Sequence, residues 1–586
     1  MKKKNTLRRM WRILRPYRWT LLFLLSLVVG CNLLALVAPL LSGKAIDAIG
    51  DVPGGADFSA VFSYCFWMLM CYAVSAAISY GTAAWLIRVG ESVSRDLREA
   101  AFHRLTELPV SYFDTHPVGD LISRICYDVD TVNAGLSTDL LQVCTSLVTV
   151  LGSLVMLLII SPGLSLVFAV TVPLSVILTR RQMKRVHSLF RERSRKLGGM
   201  NGFAEERISG MRTLRTYGVE RQSTAQFETF NAAASDAYYR AEYESAVLGP
   251  LVNFINNLSL ALISVFGGLL YLSARISLGN LASFVLYSRK FSGPIRETAN
   301  LLSDLQASVA AAERVLDLLD TAPEPEDPPG SLVPEHLRGA VSFEHTDFSY
   351  VPGVPVLRDF SADIPEGGLT AVVGFTGAGK TTLISLLLRF YEPTGGRILL
   401  DGVPLSDYAR RPLRRRFALV LQDTWLHGGT IAENIAYGAP SASPEQIRQA
   451  AKDALAHSFI RALPRGYDTV LTDEGIHLSK GQRQLLAIAR CLLTDADVVI
   501  LDEATSNVDT ETEERIQRAM EQLRAHKTCI VIAHRLTTVL NADQILLMED
   551  GRVAERGTHA ALLRRNGRYA ELYRAQFTQT LRDTGE

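Results

Sequence analysis

Long charge-free stretches dominate the first half of the chain. They cover residues 19–43, 58–87, 140–179 and 245–274. About 20 apolar residues cross the hydrocarbon core of a bilayer, so each stretch is long enough to span a membrane. Ser161-Pro162-Gly163 divides the third stretch into two spans, and a shorter apolar run at residues 276–288 adds one more. The pattern therefore predicts six crossings, with buried helices of a soluble protein as the alternative.

The charges that flank these stretches predict the orientation. Eight Lys and Arg residues precede the first stretch, and eight more follow the fourth span within residues 180–196. Such an excess is typical of cytoplasmic segments, whereas the first connection, residues 44–57, is acidic. We therefore expect both termini in the cytoplasm. The two long charged segments, residues 88–139 and 180–244, are predicted to be helices that continue beyond the membrane.

Composition narrows the class of protein. The 586 residues are 48% hydrophobic and 21% charged, with a net charge of +1. The length requires at least two domains, and the hydrophobicity excludes intrinsic disorder. Because no basic excess is present, no nucleic-acid partner is predicted. The seven cysteines contain no C-x-x-C pair, which excludes a zinc-finger framework.

The pattern changes after a segment rich in proline and acidic residues near residue 321. Short apolar strands then alternate with helices, which predicts an α/β domain with a largely parallel sheet. We therefore divide the chain into a membrane domain at residues 1–320, a linker at 321–334 and a soluble domain at 335–580.

A glycine-rich segment follows a predicted strand at residues 369–373. It reads Gly374-Phe-Thr-Gly-Ala-Gly-Lys-Thr381, which fits the pattern G-x-x-x-x-G-K-[ST] before a helix. Such a loop turns backbone N–H groups toward phosphates, its lysine reaches the β- and γ-phosphates, and its hydroxyl binds Mg²⁺. The predicted ATP-binding residues of this loop are Gly374, Thr376, Gly377, Ala378, Gly379, Lys380, Thr381 and Thr382.

Two acidic residues end another apolar strand, Val498-Val-Ile-Leu-Asp-Glu503. Asp502, at the carboxyl end of the strand, is predicted to hold the metal ion. Glu503 is then placed to orient or deprotonate the water that attacks the γ-phosphate. The two segments together predict an ATP hydrolase.

Between them lies Leu478-Ser-Lys-Gly-Gln482, and with this segment the second half resembles the nucleotide-binding domain of ATP-binding cassette (ABC) proteins. The family signature is L-S-G-G-Q, from which this chain departs at Lys480. The resemblance implies that Tyr350 stacks on adenine, that Asp509 lies in the loop crossing a dimer interface, and that His534 is the switch histidine. It implies catalytic roles for Glu503, His534 and Gln422, and Mg²⁺ ligation by Thr381, Gln422 and Asp502.

The first half resembles the membrane domain of ABC exporters. Residues 113–129 and 205–220 resemble the two intracellular loops, which end in coupling helices that dock on nucleotide-binding domains. The resemblance implies an all-α domain of six transmembrane helices followed by an α/β P-loop ATPase domain. It implies a multi-pass half-transporter of the bacterial inner membrane, working by alternating access on an amphipathic small molecule, lipid or peptide. An exporter-fold importer and an ATP-gated channel or sensor are the alternatives.

The resemblance also implies a second half-transporter, because in the family each ATP lies between the phosphate loop of one domain and the signature of the other. Ser479, Lys480, Gly481 and Gln482 would thus contact ATP in the partner's site. Lys480 and the loop Ser506-Asn-Val-Asp509 resemble one subunit of heterodimeric bacterial exporters. A heterodimer is therefore favoured, and a homodimer is the alternative.

Polar residues within the last two spans are candidates for the substrate path. Arg289 and Lys290 lie in the predicted inner half of the sixth span, where charge is costly unless it faces a cavity, protein or the interface. A cationic cavity wall would favour anionic or zwitterionic headgroups, and snorkelling to the inner headgroups is the alternative. Asn253 and Asn257 add polar contacts to this cavity, or hydrogen-bond between helices.

Overall fold

The computed structural model describes residues 9–10, 14–50, 57–422, 424–471, 478–502, 510–524, 527–533 and 539–583. They fall in two compact units. The helical unit comprises Met1–Glu107 and Pro117–Thr321, and the nucleotide unit comprises Leu108–His116 and Ala322–Glu586. The short segment at residues 108–116, between two parts of the helical unit, thus packs with the second half of the chain.

The first half is helical in its described residues. Its α-helices are α1 (Arg18–Ile49), α2 (Phe58–Glu107), α3 (Val110–Thr115), α4 (Val118–Ser123), α5 (Val129–Ala134), α6 (Leu140–Ile160), α7 (Pro162–Ser209), α8 (Met211–Thr216), α9 (Glu220–Ala246), α10 (Leu248–Leu272) and α11 (Leu278–Asp320). Two π-helical turns, Arg124–Asp128 and Gly135–Asp139, connect α4, α5 and α6.

Five of these helices, α1, α2, α6, α7 and α10, are long and apolar enough to cross a bilayer. The chain breaks between α6 and α7 at Ser161, whose Oγ accepts a hydrogen bond from the N–H of Leu164 at 3.4 Å. Helix α11 is not among the five, because Arg289 and Lys290 interrupt its apolar run. The sixth crossing therefore stays a prediction.

Helices α2 and α7 are much longer than a membrane is thick. They contain 50 and 48 residues. At about 1.5 Å per residue they reach roughly 70–75 Å, more than twice the hydrocarbon core of a bilayer. The charged segments predicted to continue as helices do so.

A buried carboxylate joins the loop helices to α11. Asp128 is 6% exposed, and its two oxygens accept hydrogen bonds from Nε and Nη2 of Arg314 at 2.8 and 2.5 Å. Beside this pair, the hydroxyl of Ser308 donates to the carbonyl of Thr131 at 3.0 Å. The ion pair and the hydrogen bond together fix α11 against the π-helical turn and α5.

The second half is an α/β domain, as predicted. Its strands are β1 (Val341–Phe348), β2 (Leu357–Ile364), β3 (Leu369–Gly374), β4 (Gly395–Leu400), β5 (Val403–Pro404), β6 (Phe417–Val420), β7 (Gly429–Thr430), β8 (Val470–Leu471), β9 (Val498–Asp502), β10 (Thr528–Ile532), β11 (Gln544–Glu549) and β12 (Arg552–Gly557). Its α-helices are α12 (Lys380–Leu387), α13 (Arg410–Arg415), α14 (Ile431–Ile435), α15 (Pro444–Asp453), α16 (His457–Ala462), α17 (Lys480–Leu493), α18 (Thr510–Arg524), α19 (His559–Arg565) and α20 (Arg568–Asp583).

The central sheet has the order β12-β11-β3-β10-β9-β6, and all neighbours are parallel except β11 and β12. Alternate residues of β9 enter two cores. Val499 and Leu501 pack in one core with Ile488 of α17, while Val498 and Ile500 pack in the other with Leu386 of α12. Both faces of the sheet are covered, which explains why β9 is apolar without alternation. A four-stranded antiparallel sheet, β2-β1-β4-β5, lies beside it in the same unit.

The acidic segment before β1 is bound to α13. Arg414 donates to both carboxylate oxygens of Glu324 at 2.5 and 3.0 Å, and Arg410 donates to Asp327 at 2.9 Å. Arg410 also contacts Glu392 at 2.9 Å. Bidentate arginine–carboxylate pairs restrict the movement of both partners. The acidic segment is therefore fixed to α13 and belongs to the nucleotide unit.

We expect Arg314→Met to destabilise the helical unit, because it leaves the buried Asp128 carboxylate without its bidentate partner. The cost should be roughly 1–3 kcal/mol. Arg98→Met is the matched control, since it removes an exposed pair with Asp130 that contributes about 1 kcal/mol or less. Thermal unfolding of the two purified variants in one detergent measures the difference. Equal melting temperatures would show that the Asp128 pair has no special role.

Candidate nucleotide site

The phosphate loop connects β3 to α12 with a backbone that requires glycine. Gly374 has φ +155°, and a Cβ there would lie 2.4 Å from the carbonyl oxygen of Met548. Gly377 and Gly379 have φ +85° and +97°, in the left-handed region that favours glycine. The loop therefore adopts the shape that the glycine pattern predicts, directly before the N-terminus of α12.

Lys380 lies across its own loop. It is 8% exposed, and its Nζ donates to the carbonyls of Gly374 and Phe375 at 2.7 and 3.0 Å. Burial lowers the pKa of Lys380, and the nearby Asp502 carboxylate partly offsets that shift. The ammonium is thus held at the loop, where phosphate oxygens would be stronger acceptors than neutral carbonyls.

Strand order brings the other predicted residues of the site to the same edge. Asp502 ends β9, next to Ile532 of β10, and Ile532 in turn pairs with Val372 of β3. Gln422 follows β6, the parallel neighbour of β9, by two residues and is exposed. Carboxyl ends of parallel strands share one edge of a sheet, and ligands bind there in open α/β sheets.

Tyr350 belongs to an aromatic cluster beside α12. Its ring contacts Phe348 and Tyr391 edge-on, with centroids 4.8 and 5.0 Å apart, and its hydroxyl donates to Oγ1 of Thr382 at 3.2 Å. The tyrosine remains 45% exposed. A fixed, half-exposed ring next to the phosphate loop suits stacking on a base.

Tyr391 links this cluster to α3. Its hydroxyl donates to Oδ2 of Asp114 at 2.5 Å, and both residues belong to the nucleotide unit. Burial, and next the hydrogen bond to Asp114, raise the pKa of Tyr391 well above its usual range, so the phenol keeps its proton. Tyr391 therefore lies between the ring of Tyr350 and the first predicted coupling segment, and it contacts both.

The signature segment begins helix α17. Ser479 is the N-cap: its Oγ accepts from the N–H of Gln482 at 3.2 Å, and the side chain of Gln482 accepts from the N–H of Ser479 at 3.0 Å. Lys480 is the first helical residue and is exposed, whereas Gly481 is buried. A cation at a helix N-terminus opposes the helix dipole, so an anion at this position would relieve the repulsion.

Three predicted residues, Glu503, Asp509 and His534, lie outside the described residues. The described strands end beside them, β9 at Asp502 and β10 at Ile532. In the helical unit, Asn253 and Asn257 lie one turn apart on α10 and are exposed, as is Arg289 on α11. Lys290 is half-buried and binds the carbonyl of Ala35 at 2.7 Å, so its ammonium is held by α1.

A phosphate loop at a parallel sheet edge, in one chain with several membrane-length helices, defines a membrane-embedded P-loop ATPase. The sequence matches the ABC transporter transmembrane region over residues 20–295 and the ABC transporter domain over residues 357–506. The chain belongs to the ABC transporter family. It is an ATP-binding, ATP-hydrolysing protein of the exporter type, with its membrane domain first.

Several relatives cover nearly the whole chain. An uncharacterized ABC transporter ATP-binding protein, YfiC of Bacillus subtilis, is 38% identical over 98% of this chain and 94% of its own length. A fatty acid ABC transporter ATP-binding/permease protein of Mycobacterium bovis is 42% identical over 92% and 84%. An ATP-dependent lipid A-core flippase of Chromohalobacter salexigens is 39% identical over 84% and 85%.

A solved structure shares the fold. The ATP-bound structure of a bacterial Atm1-family ABC exporter has a TM-score of 0.76 and 28% sequence identity, covering 96% of this chain and 98% of that chain. The predicted fold class, an all-helical membrane domain followed by an α/β P-loop domain, is confirmed.

Sequence reasoning missed two contacts. Tyr391 and Asp114 are 277 residues apart, and no motif connects them. Arg490 of α17 donates to the carbonyls of Asn434 and Trp425, at 2.9 and 3.3 Å, and so ties the signature helix to the segment after Gln422. An arginine on the amphipathic helix that follows the signature was the available signal, but its partners depend on the tertiary fold.

We expect Tyr391→Phe and Tyr391→Ala to differ. The Phe variant keeps the ring beside Tyr350 and loses only the bond to Asp114, so ATP affinity should stay within about twofold, while stimulation of ATPase activity by substrate falls. The Ala variant also loses aromatic contacts of about 0.5–1.5 kcal/mol, which weakens ATP binding about two- to tenfold. Titration with a fluorescent ATP analogue and stimulated-to-basal ATPase ratios measure both effects. Equal ATP affinities in the two variants would contradict the assignment.

Proposed function

We propose that this chain is one half of a dimeric exporter, which uses ATP to move an amphipathic small molecule, lipid or peptide across the bacterial inner membrane by alternating access. One observation carries the proposal: Leu108–His116 lies between helices of the membrane half yet packs in the nucleotide unit. Through Asp114 this segment contacts Tyr391, next to the proposed adenine-stacking ring. Nucleotide-dependent movement therefore has a direct path to the membrane helices.

The hydrolytic roles follow from the sheet edge. Lys380 and the loop N–H groups bind the phosphates, while the hydroxyl of Thr381, the carboxylate of Asp502 and the amide oxygen of Gln422 are hard oxygen ligands of the kind Mg²⁺ prefers. When bound, Mg²⁺ neutralises charge on the β- and γ-phosphates. Glu503 acts as the base on water, and His534 supports the γ-phosphate. Asp509 belongs to the loop that crosses the interface between the two nucleotide-binding domains of the dimer.

The second subunit completes each site. Ser479, Gly481 and the start of α17 offer N–H and O–H donors at a helix N-terminus, which suits the γ-phosphate of ATP held by the partner. Lys480 adds an exposed cation to that position. With its altered signature and its complete set of hydrolytic residues, the chain fits one subunit of a heterodimer better than a homodimer.

The substrate path is proposed along α10 and α11. On α10 the polar residues Asn253, Asn257 and Ser264 share one exposed stripe, while Val252 and Ile263 lie on the buried face. A polar stripe apart from the packed face suits a water-filled cavity better than lipid. Arg289 is exposed on α11 and would attract anionic groups. The names of the relatives, fatty acid transporter and lipid A-core flippase, support an amphiphile with an acidic headgroup.

Both termini are proposed to lie in the cytoplasm, because positive charges are in excess before α1 and at residues 180–196, in the charged part of α7. Import by an exporter fold and ATP gating of a channel or sensor are the alternative functions. No observation favours either alternative. The direction of transport distinguishes an importer from an exporter, and passive movement without hydrolysis distinguishes a channel.

Glu503→Gln should keep ATP binding and lose hydrolysis about a hundredfold to ten-thousandfold, because a general base contributes that range. The variant should accumulate with ATP trapped in the closed dimer. Glu511→Gln is the matched control, since Glu511 is an exposed partner of Arg515 on α18. Phosphate release and retained radiolabelled ATP measure the two effects in the purified complex. Wild-type turnover in the Glu503→Gln complex would remove this residue from the role of base.

The chain expressed alone should not form a dimer with substrate-stimulated ATPase activity, because in a symmetric dimer the long Lys480 side chain would crowd both phosphate pockets. Lys480→Gly, which restores the family signature, should raise turnover of the isolated chain. Mass measurement in nanodiscs together with ATPase assays tests both expectations. A stable dimer of the unaltered chain with substrate-stimulated hydrolysis would establish the homodimer instead.

A further inference from the structure

Helix α1 lacks one backbone hydrogen bond within the charge-free stretch of residues 19–43. Pro39 lies inside the helix and has no N–H, so the carbonyl of Ala35, four residues earlier, lacks its usual helical donor. A free carbonyl in an apolar environment is costly unless another donor reaches it. Within the helical unit, that donor comes from α11.

Lys290 supplies the donor. Its Nζ lies 2.7 Å from the oxygen of Ala35. The neighbouring turns of α11 bind the same stretch of α1: the hydroxyl of Tyr287 donates to the carbonyl of Leu36, and that of Ser283 donates to the carbonyl of Pro39 at 2.9 Å. Three side chains of α11 thus hold the backbone carbonyls around the proline.

Lys290 differs from the other two donors because it is charged. An ammonium has three N–H donors, and a neutral carbonyl satisfies one of them without balancing the charge. We call the contact between α1 and α11 the seam. Among the described residues, its carboxylate is that of Asp47, which accepts hydrogen bonds from the hydroxyl of Ser277 and from the N–H of Gly279, both at 2.7 Å. Asp47 thus binds the start of α11, more than ten residues before Lys290 and roughly 15–20 Å along the helix. Lys290 is half-buried, so the remaining donors are within reach of a ligand.

We propose that Lys290 is an anion-recognition residue of the membrane half, and that its ammonium exchanges the Ala35 carbonyl for the carboxylate or phosphate of an amphiphile's headgroup. This inference rests on the proposed export function and specifies how the acidic group is recognised. An anion is a stronger acceptor for an ammonium than a carbonyl is. Binding of the headgroup removes one of the three bonds between α11 and the Pro39 segment, which couples the ligand to the seam between α1 and α11.

The test uses the assembled transporter in nanodiscs and three probes with the same alkyl chain: dodecanoate, dodecyl phosphate and dodecanol. Stimulation of ATPase activity is titrated with each probe. Lys290→Met should raise the half-maximal concentration of the anionic probes about tenfold to a hundredfold and leave that of dodecanol unchanged, because a charge-assisted bond is lost. Lys290→Arg should restore the anion response. A difference between the two acids would identify the preferred headgroup.

Pro39→Ala provides the reverse change. Alanine restores an N–H for the Ala35 carbonyl, which then competes with Lys290, so the anionic probes should act at about two- to tenfold lower concentration. Ser283→Ala is the matched control: it removes a neutral bond to the same segment and should affect charged and neutral probes equally.

The possible outcomes are distinct. If no probe stimulates the unaltered transporter, the proposed amphiphile function fails and this inference fails with it. If the probes stimulate the wild type but Lys290→Met shifts charged and neutral probes alike, Lys290 is a structural residue and only this inference is overturned. Dissociation of the Lys290→Met dimer with unchanged anion preference would assign the counter-charge to the second subunit, which also overturns it.

Discussion

The close approach between Gly374 and the backbone of Met548 is the constraint on which the nucleotide site depends. A Cβ at position 374 would lie only 2.4 Å from the carbonyl oxygen of Met548. Only glycine therefore permits the end of β3 to approach β11 this closely. The loop then turns so that Lys380 reaches back over it and α12 begins at the same point. Because β10, β9 and β6 run parallel to β3, their ends bring Asp502 and Gln422 to this edge.

A segment from the first half of the chain packs beside the proposed nucleotide site. Helix α3 packs with the nucleotide unit, and its Asp114 accepts a bond from Tyr391, whose ring lies against Tyr350. A movement of the Tyr350 ring beside a bound base would therefore reach the segment between α2 and α4 through Tyr391 and Asp114. A second contact, from Arg490, ties α17 to the segment after Gln422. Both contacts join helices of the nucleotide unit to segments beside the proposed site.

Sequence patterns predicted most of the local structure because they report local physics. The glycine spacing requires left-handed backbone at Gly377 and Gly379, and the apolar run before Asp502 belongs to a strand covered on both faces. Charge-free stretches predicted the five membrane-length helices, but α11 carries Arg289 and Lys290, and its crossing depends on what surrounds them.

Contacts set by helix register could not be read in this way. No sequence pattern predicts that the Lys290 ammonium binds the carbonyl that Pro39 leaves free on another helix. The partnership of Tyr391 with Asp114 likewise depends on how residues 108–116 pack with a domain that begins more than two hundred residues later. Glu503 and His534 follow β9 and β10 in sequence, and their roles rest on the family's motifs.

Transport into inside-out membrane vesicles shows whether ATP hydrolysis drives outward movement of an amphiphile, as proposed. Vesicles carrying the assembled transporter receive radiolabelled dodecanoate with ATP, and vesicles with the Glu503→Gln chain serve as the comparison. Outward transport in the cell predicts ATP-dependent accumulation inside the wild-type vesicles and none with the variant. ATP-dependent release of preloaded label would indicate an importer, and passive equilibration on ATP binding without hydrolysis would indicate a channel; either result would contradict export.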